Sequence, residues 1–197
     1  MPKVLLNYID GIWQSSHAKE IIENRNPANT DDLICIIPKS SREDVDAAVK
    51  TAQKAFPSWR LTPAPKRGEI IRRAGEIIKQ KKKFLAKLVT REMGKILKET
   101  EGDVQEGIDT AFHVASEGRR LLGDTVPSEL PDRAAMSIRV PIGVCGLITP
   151  WNFPMAIPTW KIFPALLCGN TVVFKPAEDT PATAVELVKI LEEAGLP

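Results

Sequence analysis

Two short segments hold the side chains best suited to chemistry. One is Ile148-Thr149-Pro150-Trp151-Asn152-Phe153-Pro154, and the other is Lys175-Pro176-Ala177-Glu178. Each stands where an apolar run that reads as a buried strand gives way to a turn. In open α/β sheets, ligands bind just beyond the carboxyl ends of the strands. These side chains are therefore presented at the edge where a nucleotide would lie. Asn152 carries an amide that donates two hydrogens and never ionises, which suits a developing oxyanion. Lys175 is a flexible cation, and Glu178 can accept hydrogen bonds from ribose hydroxyls. Taken singly, each has a plainer reading: Asn152 as a turn former, Lys175 and Glu178 as solvated loop charges. The G-x-G-x-x-G and G-x-x-x-x-G-K-[ST] fingerprints of nucleotide sites do not occur.

The elements that must position these segments begin at Met136. Met136 to Val140 reads as a strand, Gly143 to Thr149 as a buried strand, Thr159 to Cys168 as a helix and Thr171 to Lys175 as a second buried strand. Thr180-Pro181 opens a last helix through Ala194, with Gly195 as its stop. Strand, helix, strand, helix is the opening of a parallel α/β sheet. Such sheets are covered on both faces, so this one wants more strands than the chain supplies. Upstream, Asp10-Gly11 between Leu5–Ile9 and Ile12-Trp13 signals a hairpin. Glu20 to Glu23 and Leu33 to Ile37 read as two more strands. Ser40-Ser41-Arg42-Glu43 predicts a capping box for a helix to about Phe56. Thr62-Pro63 opens a second helix. A third carries Phe84, Leu85, Leu88 and Val89 and ends near Gly94. A fourth runs from about Lys95 to Leu122, with Gly123 as its stop.

Bulk properties exclude several classes. The chain has 197 residues and a formal net charge of +2, which implies no nucleic-acid or membrane partner. The lysines at 79, 81, 82 and 83 lack interleaved aromatics and read as a solvated helix end. Val140 to Trp160 is uncharged and long enough to span a bilayer, but its four prolines suit a buried strand, turn and helix better. Cys35, Cys145 and Cys168 are widely spaced in apolar runs, which suits buried thiols in a reducing cytoplasm. Two distant histidines and no CxxC make a metal site unexpected. No secretory signal is read at the N-terminus.

Together the segments are specific. The chain resembles the aldehyde dehydrogenase superfamily through Pro150-Trp151-Asn152-Phe153-Pro154, Trp160-Lys161 with Pro164-Ala165-Leu166, Gly169-Asn170-Thr171-Val172-Val173, Lys175-Pro176-Ala177-Glu178 with Thr180-Pro181, and Glu193-Ala194-Gly195-Leu196-Pro197. Upstream, Asp10-Gly11-Ile12-Trp13, Asn26-Pro27-Ala28, Trp59, Arg67 and Arg91-Glu92-Met93-Gly94-Lys95 stand in the family's order. The resemblance covers essentially the whole chain. It implies an α/β fold, the N-terminal portion of the aldehyde dehydrogenase fold. Residues 1–122 would be the hairpins and helices of the cofactor-binding domain, 123–142 part of an oligomerisation arm, and 143–197 the start of the Rossmann-like sheet.

The resemblance also implies NAD(P)-dependent oxidation of an aldehyde to an acid through a cysteine thiohemiacetal, in a homo-oligomeric parent enzyme. Asn152 would then help form the oxyanion hole. Ile148, Thr149, Pro150 and Trp151 would line the nicotinamide and pyrophosphate side, and Lys175, Pro176, Ala177 and Glu178 would meet the adenosine ribose. Glu178 goes with NAD, because a carboxylate repels a 2′-phosphate; Lys175 leaves NADP use open. Lys161 matches a lysine that relays protons. Phe153, Ala156 and Trp160 would face the aldehyde tunnel. Ser116 to Arg120 with Gly123 to Pro127 looks most like the semialdehyde dehydrogenases acting on succinic or 2-oxoglutaric semialdehyde. There Arg119, or Arg120, would meet a substrate carboxylate, the plainer alternative being a solvated helix end.

The departures are equally specific. The family nucleophile lies in a Gly-Gln-x-Cys context, its base in Glu-Leu-Gly-Gly and its cofactor turn in Phe-Thr-Gly-Ser; none occurs in these residues. Cys145 and Cys168 read as small buried hydrophobes rather than replacements. The chain by itself is expected to be an inactive part of the parent enzyme. The alternative is a non-catalytic chain that associates with a full-length relative.

Overall fold

The computed structural model describes residues 3–197. The chain opens with β1 (Lys3–Val4), then β2 (Asn7–Ile9) and β3 (Ile12–Gln14), which pair antiparallel around Asp10-Gly11. Both turn residues have positive φ, 56° and 73°, as a two-residue hairpin turn requires. β4 (Ile21–Asn26) and β5 (Asn29–Pro38) form a second antiparallel pair, with β1 parallel on the far side of β5.

Four helices follow: α1 (Arg42–Trp59), α2 (Ala64–Gln80), α3 (Lys82–Met93) and α4 (Leu97–Glu117). The start of α1 lies one residue beyond the Ser40…Glu43 spacing, with Ser41 as N-cap donating its backbone N–H to Asp44 at 2.8 Å. Asp44 also accepts from the Ser16 hydroxyl and the His17 N–H, which fastens the segment after the hairpin to the helix. The lysine-rich stretch is the α2–α3 junction, where Lys81 pairs with Glu193 and Lys82 donates to Gln105. α4 ends at Glu117, not near Leu122. Just past its end the chain runs close to α2, where a Cβ on Gly118 would stand 2.8 Å from the Ala64 carbonyl oxygen. Gly123 is no helix stop but a close approach, since a Cβ there would lie 1.9 Å from the Ser137 carbonyl oxygen. The ribbon β6 (Thr125–Pro127) and β7 (Ala134–Met136) is exposed. The strand expected over Met136–Val140 is displaced to β7, whose register ends at Thr125 opposite Met136, with the Ser137 N–H donating to the Asp124 carbonyl at 2.9 Å just beyond.

β8 (Val144–Ile148), α5 (Ala156–Leu167), β9 (Thr171–Lys175) and α6 (Pro181–Glu193) form the expected strand–helix–strand–helix unit, its two strands parallel. The uncharged run is thus strand, turn and helix, and no helix among the described residues is long and apolar enough to cross a membrane. One core joins Ile71 and Ile78 of α2, Leu85 of α3, Val104 and Ile108 of α4, Phe163 and Leu167 of α5, and Leu187 and Ile190 of α6, none more than 2% exposed. Leu147, Val172 and Phe174 pack against this core. Thr171, on the opposite face by strand alternation, donates its hydroxyl to Ala52 of α1 at 2.9 Å. β8 is not the buried strand expected: Gly146 is exposed and Ile148 is 76% exposed. Two strands alone leave an open edge on either side, among the described residues. Cys145 and Cys168 are half-buried rather than buried, so only Cys35 fits the expected buried thiol. Burial pushes the Cys35 thiol up to about 12.

The carboxyl end of α5 is anchored from two sides. Arg67, 5% exposed, donates Nε to the Leu167 carbonyl at 2.7 Å and a further bond to Thr62. The Trp59 indole donates to the Leu166 carbonyl at 3.2 Å. A cation at a helix C-terminus is also favoured by the helix dipole. Arg67→Met strips its donors from the Leu167 and Thr62 carbonyls and is expected to cost about 2–4 kcal/mol, read as a lower urea midpoint at unchanged slope. Arg72→Met, which removes a solvent-exposed pair with Glu76, is expected to cost no more than about 0.5 kcal/mol.

Candidate functional site

Strand register brings the two chemically rich segments together. Ile148 lies opposite Lys175, and the Thr149 N–H donates to the Lys175 carbonyl at 3.3 Å. Adjacent strands are about 4.8 Å apart, so Thr149–Asn152 and Lys175–Glu178 leave the sheet side by side. Beyond that edge the Lys175 ammonium pairs with Glu178 at 2.9 Å, with both side chains exposed. The lysine holds the Glu178 carboxyl below its ordinary value. Ile148, Pro150 and Trp151 are exposed, and a Cβ on Gly146 would meet nothing within 4 Å. Thr149 and Ala177 are buried, which leaves their backbones as the atoms nearest the edge.

The turn after β8 carries Asn152. Its side-chain amide is exposed and makes no hydrogen bond among the described residues, while its carbonyl accepts from Lys95 at 2.8 Å. Phe153 and Trp160 are half-exposed aromatics, and Lys161 is exposed beside Trp160 on α5. An exposed amide beside apolar rings, next to an uncovered cation–carboxylate pair, can hold a polarised carbonyl oxygen at one point and sugar hydroxyls at another.

Two expected residues do not join this set. Ala156 is fully buried, its N–H bound to Asp103, so it faces packed protein and not open space. Arg119 lies at the wrong end of α4. Lys95, just before that helix, touches Asn152, whereas Gly118, just after it, packs on Leu167 at the far end of α5. A 21-residue helix is about 30 Å long, well beyond the reach of a guanidinium. A groove of about 570 Å³ includes Trp151 and Glu178, but its other walls are Ile22 to Arg25 and Pro27, Glu92 and Met93, and Asp179. Ile148, Asn152 and Lys175 lie outside it. No group of histidines, cysteines and carboxylates able to hold a metal occurs among the described residues.

The residues that place the site were not singled out for this role from sequence. Asp103 of α4, 1% exposed, accepts the N–H groups of Met155 and Ala156 at 3.2 and 2.9 Å, capping α5. Glu92 of α3, 2% exposed, accepts the N–H groups of Ala182 and Thr183 at 2.7 and 2.8 Å and the Thr183 hydroxyl at 2.6 Å, capping α6. A signal existed for Asp103. It sits with Thr100 inside the apolar stripe of Val104, Gly107, Ile108 and Ala111, where an unpartnered carboxylate would be costly. Glu92 lay within the quoted Arg91–Lys95 segment without a role. Neither helix therefore leaves these N–H groups open to a phosphate.

Burial raises the Asp103 carboxyl above its ordinary value and pushes Glu92 from 4.5 up to about 7, although the donors around each pull the other way. A raised folded-state pKa means stability present below the ordinary value and lost as pH climbs through the folded one. Thermal and urea stability are therefore expected to fall by up to a few kcal/mol between about pH 4.5 and 7 on account of Glu92. In Glu92→Gln that slope is expected to flatten. A wild-type profile that rises through this window would contradict the assignment.

The family profile described as "Aldehyde dehydrogenase family" matches residues 13–197. The chain is 42% identical over 192 residues to an alpha-ketoglutaric semialdehyde dehydrogenase of Bacillus subtilis, covering 98% of this chain and 39% of that protein. It is 41% identical to malonate-semialdehyde dehydrogenase 1 of Geobacillus kaustophilus, covering 98% of this chain and 40% of the relative. Among solved structures, lactaldehyde dehydrogenase from Escherichia coli superimposes with a TM-score of 0.95 at 34% identity, over 100% of this chain and 41% of that one. Betaine aldehyde dehydrogenase from Staphylococcus aureus in complex with NAD+ gives a TM-score of 0.94 at 34% identity, over 98% of this chain and 40% of that one. The chain thus spans about two fifths of the length of the relatives it matches. With the Trp-Asn turn and the Lys…Glu pair brought to one sheet edge, these matches fix its membership: the chain belongs to the aldehyde dehydrogenase family.

Proposed function

We propose that this chain is the cofactor-side portion of an enzyme that oxidises a semialdehyde to a carboxylic acid with NAD, or alternatively NADP. The observation that carries the reading is the register that sets Ile148 against Lys175. The edge it creates suits a dinucleotide: an uncovered carboxylate and cation for ribose hydroxyls, and exposed Ile148, Pro150 and Trp151 for a flat ring. A bound nicotinamide dinucleotide would supply the hydride acceptor. Thr149, Pro176 and Ala177 would contribute backbone spacing, and Lys175 and Glu178 the ribose contacts. The Asn152 amide would donate to the aldehyde oxygen as negative charge gathers there. Phe153 and Trp160 would flank the aldehyde, and Lys161 would relay a proton. Semialdehyde specificity is supported by the activities named for the relatives. The thiol nucleophile and the base would come from outside these residues, so the 197-residue chain would bind cofactor without turnover.

The domain reading follows: 1–122 as the surrounding hairpins and helices, 143–197 as the opening of the cofactor sheet, and 123–142 as an oligomerisation arm. The arm leaves Val126, Leu130, Met136, Ile138, Val140 and Ile142 each at least 49% exposed, which suits burial against another copy. Light scattering on the wild-type chain is expected to give an oligomer, and the double change Met136→Asp, Ile138→Asp is expected to shift it toward monomer. A monodisperse wild-type monomer would remove the arm's role.

Cofactor binding is tested by titrating NAD+ and NADP+ into the chain and following tryptophan emission, with an aldehyde panel in parallel. NAD+ is expected to bind more tightly. Glu178→Gln is expected to improve NADP+ relative to NAD+ by about tenfold, because a repelling charge has gone. A folded chain that binds neither dinucleotide would sink the reading.

A further inference from the structure

The turn that carries Asn152 has little hydrogen bonding of its own. It is bounded by Pro150 and Pro154, which have no N–H to give. The Phe153 carbonyl accepts from Ile157 at 3.1 Å, at the start of α5. The Asn152 carbonyl is held from outside, by the Lys95 ammonium at 2.8 Å. The same ammonium stands 3.7 Å from the centre of the Phe153 ring, a cation over an aromatic face. Gly94 makes this possible: it caps α3 in the left-handed region, at φ 80°, and so turns the chain to deliver Lys95 toward the turn. Asp103, 8 residues further on in sequence, holds the Met155 and Ala156 N–H groups, and Lys95 favours its ionised form. The turn is gripped by a cation at its carbonyl end and a carboxylate at its amide end.

We infer that Lys95 is a positioning residue for the Asn152 amide, which rests on reading Asn152 as the oxyanion donor. The contacts to the Asn152 carbonyl and the Phe153 ring fix the peptide plane between the two residues. The Asn152 side chain has no hydrogen bond among the described residues, so the backbone, by placing its Cα–Cβ bond, is what this turn supplies to aim the amide. A donor displaced by about 1 Å loses on the order of a hundredfold in rate. Lys95 touches no reacting atom and acts through this turn.

The test is nitrogen relaxation on the isotope-labelled 197-residue chain, as wild type, Lys95→Met, Lys95→Arg and Phe153→Leu, with NAD+ titrated into each. Backbone order parameters at Trp151 to Phe153 are expected near about 0.85 in wild type and below about 0.6 in Lys95→Met. The Asn152 side-chain amide signals are expected to broaden or double, with β9 and the thermal midpoint unchanged. Lys95→Arg is expected to restore order, and Phe153→Leu, which keeps the carbonyl contact, to lose part of it. Unchanged order at the turn in Lys95→Met, or a loss spread through α5 and β9, overturns the positioning role. Failure of the wild-type chain to bind NAD+ overturns the cofactor reading, and the order parameters still decide on Lys95 by themselves.

Discussion

Two buried carboxylates, each closing the N-terminus of a helix, are the interaction on which the rest of this structure depends. A helix leaves its first N–H groups without partners, and at a strand-to-helix turn those groups lie at the edge where ligands bind. Asp103 takes them for α5 and Glu92 takes them for α6. Removing a carboxylate from water costs several kcal/mol unless donors replace the lost hydration. Here two or three donors at each site, with the helix dipole, offset part of that cost, and burial still leaves both carboxyls above their ordinary values. The helices of the α/β unit are therefore bolted to α3 and α4, and the turns before them inherit that placement.

This use of the helix ends explains what the chain lacks. A glycine-rich fingerprint serves to bring pyrophosphate onto an open helix N-terminus. Both helix N-termini of the α/β unit are occupied by the protein's own carboxylates, so a fingerprint after β8 or β9 would have no site to serve. What this edge leaves exposed is side chains and the sheet end itself. Lys175 and Glu178 are exposed there and, among the described residues, paired only with each other.

The same segments also fix α5 at its other end. Arg67 and Trp59 hold the last carbonyls of α5, and Asn170 accepts the Ile142 and Gly143 N–H groups while donating to Ala165. Trp59, Arg67, Asn170, Glu92 and Lys95 were all marks of family resemblance in the sequence. Each acts by joining distant parts of the chain: Trp59 and Arg67 reach α5 from about a hundred residues away, and Glu92 reaches α6 from almost as far. Several segments diagnostic of the family are internal braces, while Pro150 to Phe153, Trp160-Lys161, Lys175 and Glu178 are left exposed.

Most elements were legible locally, because hairpin turns, helix periodicity and apolar strand runs are set by neighbours a few residues apart. Asp10-Gly11, the stripe of α2 and the β8-α5-β9-α6 order came from such signals, and the Trp-Asn and Lys…Glu segments singled out in the sequence do leave one sheet edge together. The misreadings share one cause. Gly118 just past α4 runs close to Ala64 and Leu167, Ile148 stands exposed at the end of a two-stranded sheet, and the length of α4 separates Arg119 from Asn152. The sequence by itself determined which elements form and which side chains could do chemistry, since both follow from residue type and short-range spacing. Only the tertiary structure decided which of those side chains meet, and that Glu92, Lys95 and Asp103 hold them there, because a buried charge takes its role from partners that the fold, and not the neighbouring sequence, supplies.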